Sequence, residues 1–166
     1  MVNITSTKGH TLTEAMITVV IVGIVASLAA PLLVQVTNFS RQTNARGIIE
    51  RDVRASLDMI NRFTRQAQSA TVVIDSISSS QPPYSRLTFT SSQGQAVSFY
   101  QSGNKLYMSL AGQTSLLTSN LAYIAFTYPR TDDTSLISVA ITTQAPTYRG
   151  NELALQLSIQ KVRIMN

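Results

Sequence analysis

The sequence contains no cysteine, no tryptophan and a single histidine, His10. Without cysteine the chain can form neither a disulfide nor a thiolate metal site, and it has no cysteine nucleophile. One histidine near the N-terminus leaves no multi-histidine metal site and no histidine-based catalytic triad. These absences predict a protein that is not an enzyme and that requires no cofactor or metal.

Charge is also scarce, because charged residues make up 13% of the chain against roughly 25% in an average soluble protein. The formal net charge is +5, and six arginines lie between Arg41 and Arg65 against Glu50, Asp52 and Asp58. A basic segment of this kind can meet nucleic acid or an anionic membrane surface. The preferred interpretation is a solvated helix face close to a membrane.

The sequence offers little evidence for a phosphate, calcium or nucleic-acid binding site. Gly94, Gly103 and Gly112 are isolated and form no phosphate-binding glycine loop. Asp132 and Asp133 could supply half of a calcium site, but two acids in a Ser/Thr-rich loop are more typical of a solvated turn. The tyrosines lie mostly in strand-like segments, where packing is favoured over a base-stacking platform.

What the sequence does contain is one long apolar run near the N-terminus. No charged residue occurs in residues 15–40, and residues 15–36 are mostly apolar. As a helix, these 22 residues span about 33 Å, enough to cross a hydrocarbon core of roughly 30 Å. A secretory signal cut near Ala30 is the alternative, but Pro31 and further apolar residues follow that position.

The residues before the run form a short polar leader. Lys8, Gly9 and His10 are followed by Thr-Leu-Thr and then by Glu14 at the mouth of the apolar segment. A glycine disfavours helix and leaves the Gly9–His10 bond open to a protease. A carboxylate at the edge of a lipid-spanning helix requires a partner or a functional reason.

This junction resembles the class III leader of type IV pilins and type II secretion pseudopilins. The matching features are Lys8, Gly9, Thr11, Leu12 and Glu14, followed by the uncharged helix with Pro31. His10 departs from the pattern, since that family usually has Phe after the cut. The resemblance is close over residues 8–36 and extends to the rest of the chain only as architecture.

The resemblance implies that a prepilin peptidase cuts between Gly9 and His10 and then N-methylates the amine of His10. It further implies that Leu12, Glu14 and Pro31 serve subunit assembly. In that interpretation the carboxylate of Glu14 pairs with the N-terminal amine of an adjacent subunit, which offsets part of the desolvation of both charges.

The implied location is the bacterial inner membrane, with one pass, the leader in the cytoplasm and the C-terminal domain in the periplasm or outside. The implied partners are the peptidase, other pilin or pseudopilin subunits, an inner-membrane assembly platform and membrane lipid. Residues 49–54, 96–100 and 161–164 resemble segments of the minor J-type pseudopilins. The expected function is therefore to help initiate or cap a filament; the alternative is a tip module that binds DNA during uptake, although nucleic acid is not the favoured partner.

Beyond the apolar run the helix is expected to continue to residue 70. Apolar residues recur there at spacings of three and four, which is typical of an amphipathic helix with one stripe. The stripe could form a coiled-coil seam, but a core face is favoured because a β-rich region follows. The stripe consists of Ile48, Ile49, Val53, Leu57, Ile60, Phe63, Ala67 and Ala70.

From residue 71 the apolar period changes to two, which predicts strands. The predicted strands cover residues 72–74, 86–90, 96–100, 105–109, 121–128, 136–142 and 153–164. The last should be half-buried, with its leucines and Ile159 alternating with a wet polar face. The predicted organisation is a leader (1–9), a transmembrane and assembly helix (10–36), an amphipathic continuation (37–70) and a β-sheet head (71–166): an α+β, pilin-like fold.

Overall fold

A computed structural model describes residues 11–147 and 153–165. The described chain contains one long helix, a single 3-10 turn at Ser69–Thr71 and eight strands. The helix is α1 (Leu12–Thr64), and the strands are β1 (Val73–Asp75), β2 (Arg86–Thr90), β3 (Ala96–Ser102), β4 (Lys105–Leu110), β5 (Gln113–Thr118), β6 (Leu121–Thr127), β7 (Leu136–Pro146) and β8 (Leu153–Arg163). By compactness the chain divides into Met1–Ser40 and Arg41–Asn166, and each unit is described by itself.

The strands of the second unit form two antiparallel sheets. One has five strands in the order β1-β2-β3-β4-β5, and the other has three in the order β6-β7-β8. Each strand pairs with its neighbour in sequence, so short turns suffice and no crossover is needed. This architecture confirms the predicted α+β class, a long N-terminal helix with antiparallel β-structure.

The part of α1 within the second unit packs on both sheets through one apolar stripe. Ile49, Val53, Leu57 and Ile60 are buried at spacings of three and four, while the opposite side of the helix is exposed. The last three of these residues share one cluster with side chains of both sheets. This confirms the core face for most of the stripe, whereas Ile48 and Ala70 are exposed. The largest fully buried side chains in the cluster are Phe89, Phe99 and Phe126.

Two polar side chains add hydrogen bonds between elements that the apolar core already brings together. Buried Gln101, on β3, accepts from the Ile124 amide at 3.2 Å and donates to the Ala122 carbonyl at 3.3 Å, which links the two sheets. Asp52, on α1, accepts hydrogen bonds from the Thr118 hydroxyl at 3.1 Å and from the side-chain amide of Asn120 at 3.0 Å. Such bonds satisfy buried polar groups and orient the helix on the sheets.

Several boundaries differ from the sequence-based prediction. The helix ends at Thr64 rather than at residue 70, because the following segment turns to reach β2: the Gln68 amide donates to the Thr90 carbonyl at 2.9 Å. Strand β2 has the predicted bounds, whereas β5 was not predicted. Its first four residues are exposed, so no apolar alternation marks it.

The turn before β5 is equally atypical. Leu110 and Gln113 are paired across a two-residue loop in which Ala111 and Gly112 have φ values of 49° and 85°. Two positive φ angles indicate a type I′ turn, which usually carries Asn-Gly or Asp-Gly. Alanine at the first position hides this hairpin from inspection of the sequence.

The orientation of β8 corrects the prediction made for it. The strand forms as expected, but the three aliphatic residues of its alternation whose side chains are described do not face the core. Leu155, Leu157 and Ile159 are exposed, while Val162 is buried. The prediction of two different faces on β8 is therefore right, but α1 covers the face that carries Val162 and not the face that carries the aliphatic row.

We expect Ile60→Ala to destabilise a chain of residues 41–166 by about 2–5 kcal/mol, because it leaves a cavity in the core. Ile48→Ala is the matched control: Ile60 is 0% exposed and Ile48 is 46% exposed on the same helix. The control should cost about 0.5 kcal/mol or less. Urea unfolding followed by circular dichroism measures both. Equal losses would contradict a core in which α1 packs on its own sheets.

Candidate membrane and assembly helix

Thr11 caps the N-terminus of α1. Thr11 precedes the helix; its Oγ1 accepts from the Glu14 amide at 3.4 Å, and its carbonyl accepts from the Ala15 amide at 3.1 Å. With Thr11 as the N-cap, Glu14 occupies the third helical position, which is the spacing of the Ser/Thr-x-x-Glu capping box. This Thr-x-x-Glu spacing is visible in the sequence and by itself predicts Thr11 as the cap, a role separate from its place in the family motif. A carboxylate in the first turn is also favoured by the helix dipole.

The first unit carries its apolar residues on every side of the helix. Within the described residues, α1 is the one helix long and apolar enough to cross a membrane, and none of its most apolar 18-residue window is buried. Large aliphatic side chains such as Val19, Val22 and Leu33 are exposed. A helix that is apolar all round requires a nonpolar environment, supplied by lipid or by other chains.

Three hydroxyl groups of the first unit donate hydrogen bonds to backbone carbonyls of the same helix. The Thr18 hydroxyl donates to the Ala15 carbonyl at 2.8 Å, and the Ser27 hydroxyl donates to the Ile24 carbonyl at 2.7 Å. Thr37 makes the same kind of bond to Leu33 at 2.8 Å. These bonds matter because no water is available in a hydrocarbon core to satisfy a hydroxyl group.

The predicted assembly residues are distributed along this helix. Leu12 and Glu14 lie in its first turn, and Pro31 lies in its interior, about 26 Å farther along the axis from Glu14. Proline has no amide hydrogen for the Ser27 carbonyl, but α1 continues through it. The structure therefore places these residues on one helix, on different sides of it, and does not gather them into a pocket. The cleavage residues Gly9 and His10 lie outside the described residues.

Two tyrosines and one arginine of the five-stranded sheet have partners within that sheet. Tyr100 and Tyr107 stack on each other across β3 and β4, with ring centroids 5.5 Å apart. Arg86, opposite Tyr100 on β2, donates from Nε to Asp75 at 2.6 Å. This hydrogen bond lowers the pKa of the Asp75 carboxyl and raises the pKa of Arg86. Neither the stacked pair nor the arginine paired with Asp75 offers a free platform for bases.

The adjacent acids Asp132 and Asp133 lie in a hydrogen-bonded turn. Asp133 accepts from the Ser135 amide at 2.9 Å and from its hydroxyl, which lowers the pKa of the Asp133 carboxyl. Asp132 pairs with Arg130 at 3.1 Å. Among residues 11–147 and 153–165, no three His, Asp or Glu side chains converge as metal ligands.

Comparison with protein-family models, with characterised proteins and with solved structures finds no match for this chain. The long apolar helix and the antiparallel sheets form a layout that is compatible with a pilin. The layout alone assigns no family.

We expect Ile24→Arg to prevent stable membrane integration of the full chain, since arginine at the centre of a spanning helix costs about 2.5–3.5 kcal/mol on insertion scales. Asn38→Arg is the control, because it adds the same charge beyond residue 36 and close to Arg41. Alkaline carbonate extraction of membranes distinguishes the two. Release of the unmodified chain into the supernatant would contradict a helix that resides in lipid, and equal retention of both variants would show that residue 24 does not lie in the hydrocarbon core.

Proposed function

We propose that this chain is a minor pilin or pseudopilin, a structural subunit that helps to initiate or cap a type IV pilus-like or type II secretion filament. The observation that carries the proposal is the N-terminal helix: apolar on all sides, capped by Thr11, and bearing Glu14 in its first turn. The same chain has an α+β unit with a core of its own. An anchor joined to a self-contained head is the organisation that a filament subunit needs.

The exposed apolar surface supports an assembly role because it can be covered in two ways. Before assembly, lipid would surround the helix in the inner membrane. After assembly, helices of neighbouring subunits would replace lipid through close packing. Because both environments are nonpolar, exchange between them does not expose the aliphatic side chains to water. The head would remain on the far side of the membrane or outside the cell.

Glu14 supplies the polar element of this proposal. A carboxylate at the edge of a nonpolar helix is more stable beside a cationic partner than it is when buried alone. The N-terminal amine that a prepilin peptidase would create at His10, on an adjacent subunit, is such a cation. This pairing would set the axial register between subunits. Other pilin-like subunits and an inner-membrane assembly platform are the further proposed partners, and lipid is the proposed surrounding before assembly.

The proposal predicts processing at the Gly9–His10 bond. Mass spectrometry of membrane-extracted protein should show a chain that begins at His10 and carries one additional methyl group on its amine. Gly9→Val should block this cut, because a branched side chain removes the open backbone that glycine provides. A mature chain that begins at Met1 or near Pro31 in cells with an active prepilin peptidase would refute the proposal.

Glu14→Ala should leave membrane insertion and cleavage intact, because neither requires the carboxylate to pair with a neighbouring subunit. It should lower the amount of the chain that crosslinks to co-expressed pilin-like subunits. Glu14→Asp should be intermediate, since it keeps the charge but has a shorter reach. Thr13→Ala, one position earlier, is the control for changes in the first helical turn.

The measurement is recovery of tagged neighbouring subunits after crosslinking of each variant. Equal recovery for the unmodified chain and Glu14→Ala would show that the carboxylate is not an assembly contact.

A further inference from the structure

Exposed arginines form a row along the side of α1 that faces away from the core. They lie four and seven residues before and after Asp58. Since successive residues are about 100° apart around a helix, all of these arginines lie within about 40° of Asp58. The buried Ile49 and Ile60 lie on the opposite side of the helix. We call the row the arginine face, and it consists of the exposed residues Arg51, Arg54, Asp58, Arg62 and Arg65.

Contacts within the second unit orient two of these arginines without removing their charge. The Nε of Arg65 donates to the side-chain oxygen of Asn61 at 3.0 Å. The Arg65 amide donates to the Asn61 carbonyl at 3.1 Å, so this residue continues the helical arrangement past Thr64. The guanidinium of Arg62 lies 5.0 Å from the ring centroid of Phe63. An amide oxygen and an aromatic ring carry no net charge, so neither neutralises an arginine.

The acids on this side of α1 are too few to balance the arginines. Glu50 pairs with Arg54, but Arg54 and Glu50 remain 75% and 54% exposed, and an ion pair that is open to water contributes little. Asp58 is the one acid within the row itself. Asp52 lies on another side of the helix, where it bonds to residues next to β5. The arginine face therefore has an excess of positive charge, which indicates an anionic partner.

The position of Asp58 restricts what kind of anion can bind. It lies at the centre of the row, so a polyanion of uniform charge, such as the phosphate backbone of DNA, would meet a carboxylate there. A helix that lies on a membrane surface carries large apolar residues beside its basic ones, whereas Gly47, Ala55 and Asn61 lie beside this row. An order of two bases, one acid and two bases is complementary to separate side chains on another protein.

A second copy of this chain does not fit the arginine face. The charge pattern is symmetric about Asp58, so it is the same in both chain directions. Two copies in register would place arginine against arginine whether they run parallel or antiparallel, and contacts between like charges are unfavourable. A shifted register pairs Asp58 with one arginine and still leaves more arginines than acids in the contact. The partner is therefore a different chain.

The shape of the arginine face suits a helix as its partner. The row is straight and extends about 21 Å along the axis from Arg51 to Arg65. A Cβ added to Gly47 would meet no atom within 4 Å, and Ala55 beside the row is also small. Small residues allow the backbones of two helices to approach closely. A second helix also presents its side chains at spacings of four and seven residues on one side.

We propose that the arginine face binds an acidic helix of a different chain, with acids four and seven residues on either side of a central basic residue. Each acid would meet one arginine, and the basic residue would meet Asp58. That the different chain is another filament subunit rests on the function proposed above, whereas the charge pattern of its helix follows from the arginine face alone.

A synthetic helical peptide tests this charge pattern. The matching peptide has four glutamates around a central lysine at the stated spacings, and the comparison peptide has the same composition with its glutamates distributed around the helix. Fluorescence anisotropy measures the binding of each peptide to the full chain in nonionic detergent. The matching peptide should bind about tenfold more tightly, because exposed ion pairs are individually weak and only several together produce such a difference. Equal affinities would overturn the proposal.

Charge reversal shows whether the contact lies on α1. The double variant Arg51→Glu with Arg62→Glu should lose the preference for the matching peptide. Lys105→Glu with Lys161→Glu is the control, because it changes the net charge equally at exposed residues of the two sheets and should keep the preference. Thermal unfolding should be nearly unchanged in both, since none of these side chains lies in the core. A preference that survives in the first variant, or is lost equally in both, would contradict a contact through the arginine face.

Two measurements test the other anions. Short duplex DNA that displaces the matching peptide at lower concentrations than the peptide itself, and that requires Arg51 and Arg62, would assign the arginine face to nucleic acid. The preference between the two peptides should be the same in vesicles of phosphatidylcholine and in vesicles that also contain phosphatidylglycerol. A preference that disappears only in the anionic vesicles would assign the arginine face to lipid headgroups.

Failure of this inference is distinguishable from failure of the proposed function. If the peptides bind equally while crosslinking to co-expressed pilin-like subunits still depends on Glu14, the arginine face is not the contact and the proposed function stands. If the chain is not cut at the Gly9–His10 bond while the matching peptide is preferred, the arginine face binds an acidic helix and the proposed function is wrong.

Discussion

The burial of one side of α1 is the interaction on which the second unit depends. Val53, Leu57 and Ile60 contact a cluster that draws side chains from both sheets. Neither a five-stranded nor a three-stranded sheet can bury an apolar face by itself, and the helix supplies the missing layer for both. The bonds from Gln101 and Asp52 then orient surfaces that the apolar residues have already brought together.

One helix meets two different requirements along its length. In residues 15–40 apolar side chains lie on all sides and no charge is present, whereas from Arg41 onward one stripe is buried and arginines occupy the exposed side. Hydroxyl groups within the first part bond to the helix backbone, which suits a nonpolar environment. In the second part, Glu50 and Arg54 pair at 2.5 Å on the exposed side, which suits water.

The segment Thr-Leu-Thr-Glu at the helix start has a physical interpretation beside the family resemblance. Thr11 caps the helix, and Glu14 stands where a capping box requires an acid. The proposed pairing of Glu14 with a neighbouring amine would therefore build on a carboxylate whose position the helix start already favours. The same helix dipole that favours an acid in the first turn disfavours an amine there, so in the proposed contact the attraction of the carboxylate has to outweigh the dipole.

The sequence by itself determined the elements whose evidence is local: the uncharged helix, the stripe that continues it and the bounds of β2. It also placed Leu12, Glu14 and Pro31 on the helix, because residue spacing alone defines that relation. Only the tertiary structure decided three features. The helix ends at Thr64 because the chain must return to pair with β2, and β5 forms by pairing with β4 although its own residues are polar. The aliphatic side of β8 faces outward. The period of two in the sequence shows only that the two faces of the strand differ. Which face is buried depends on where α1 packs.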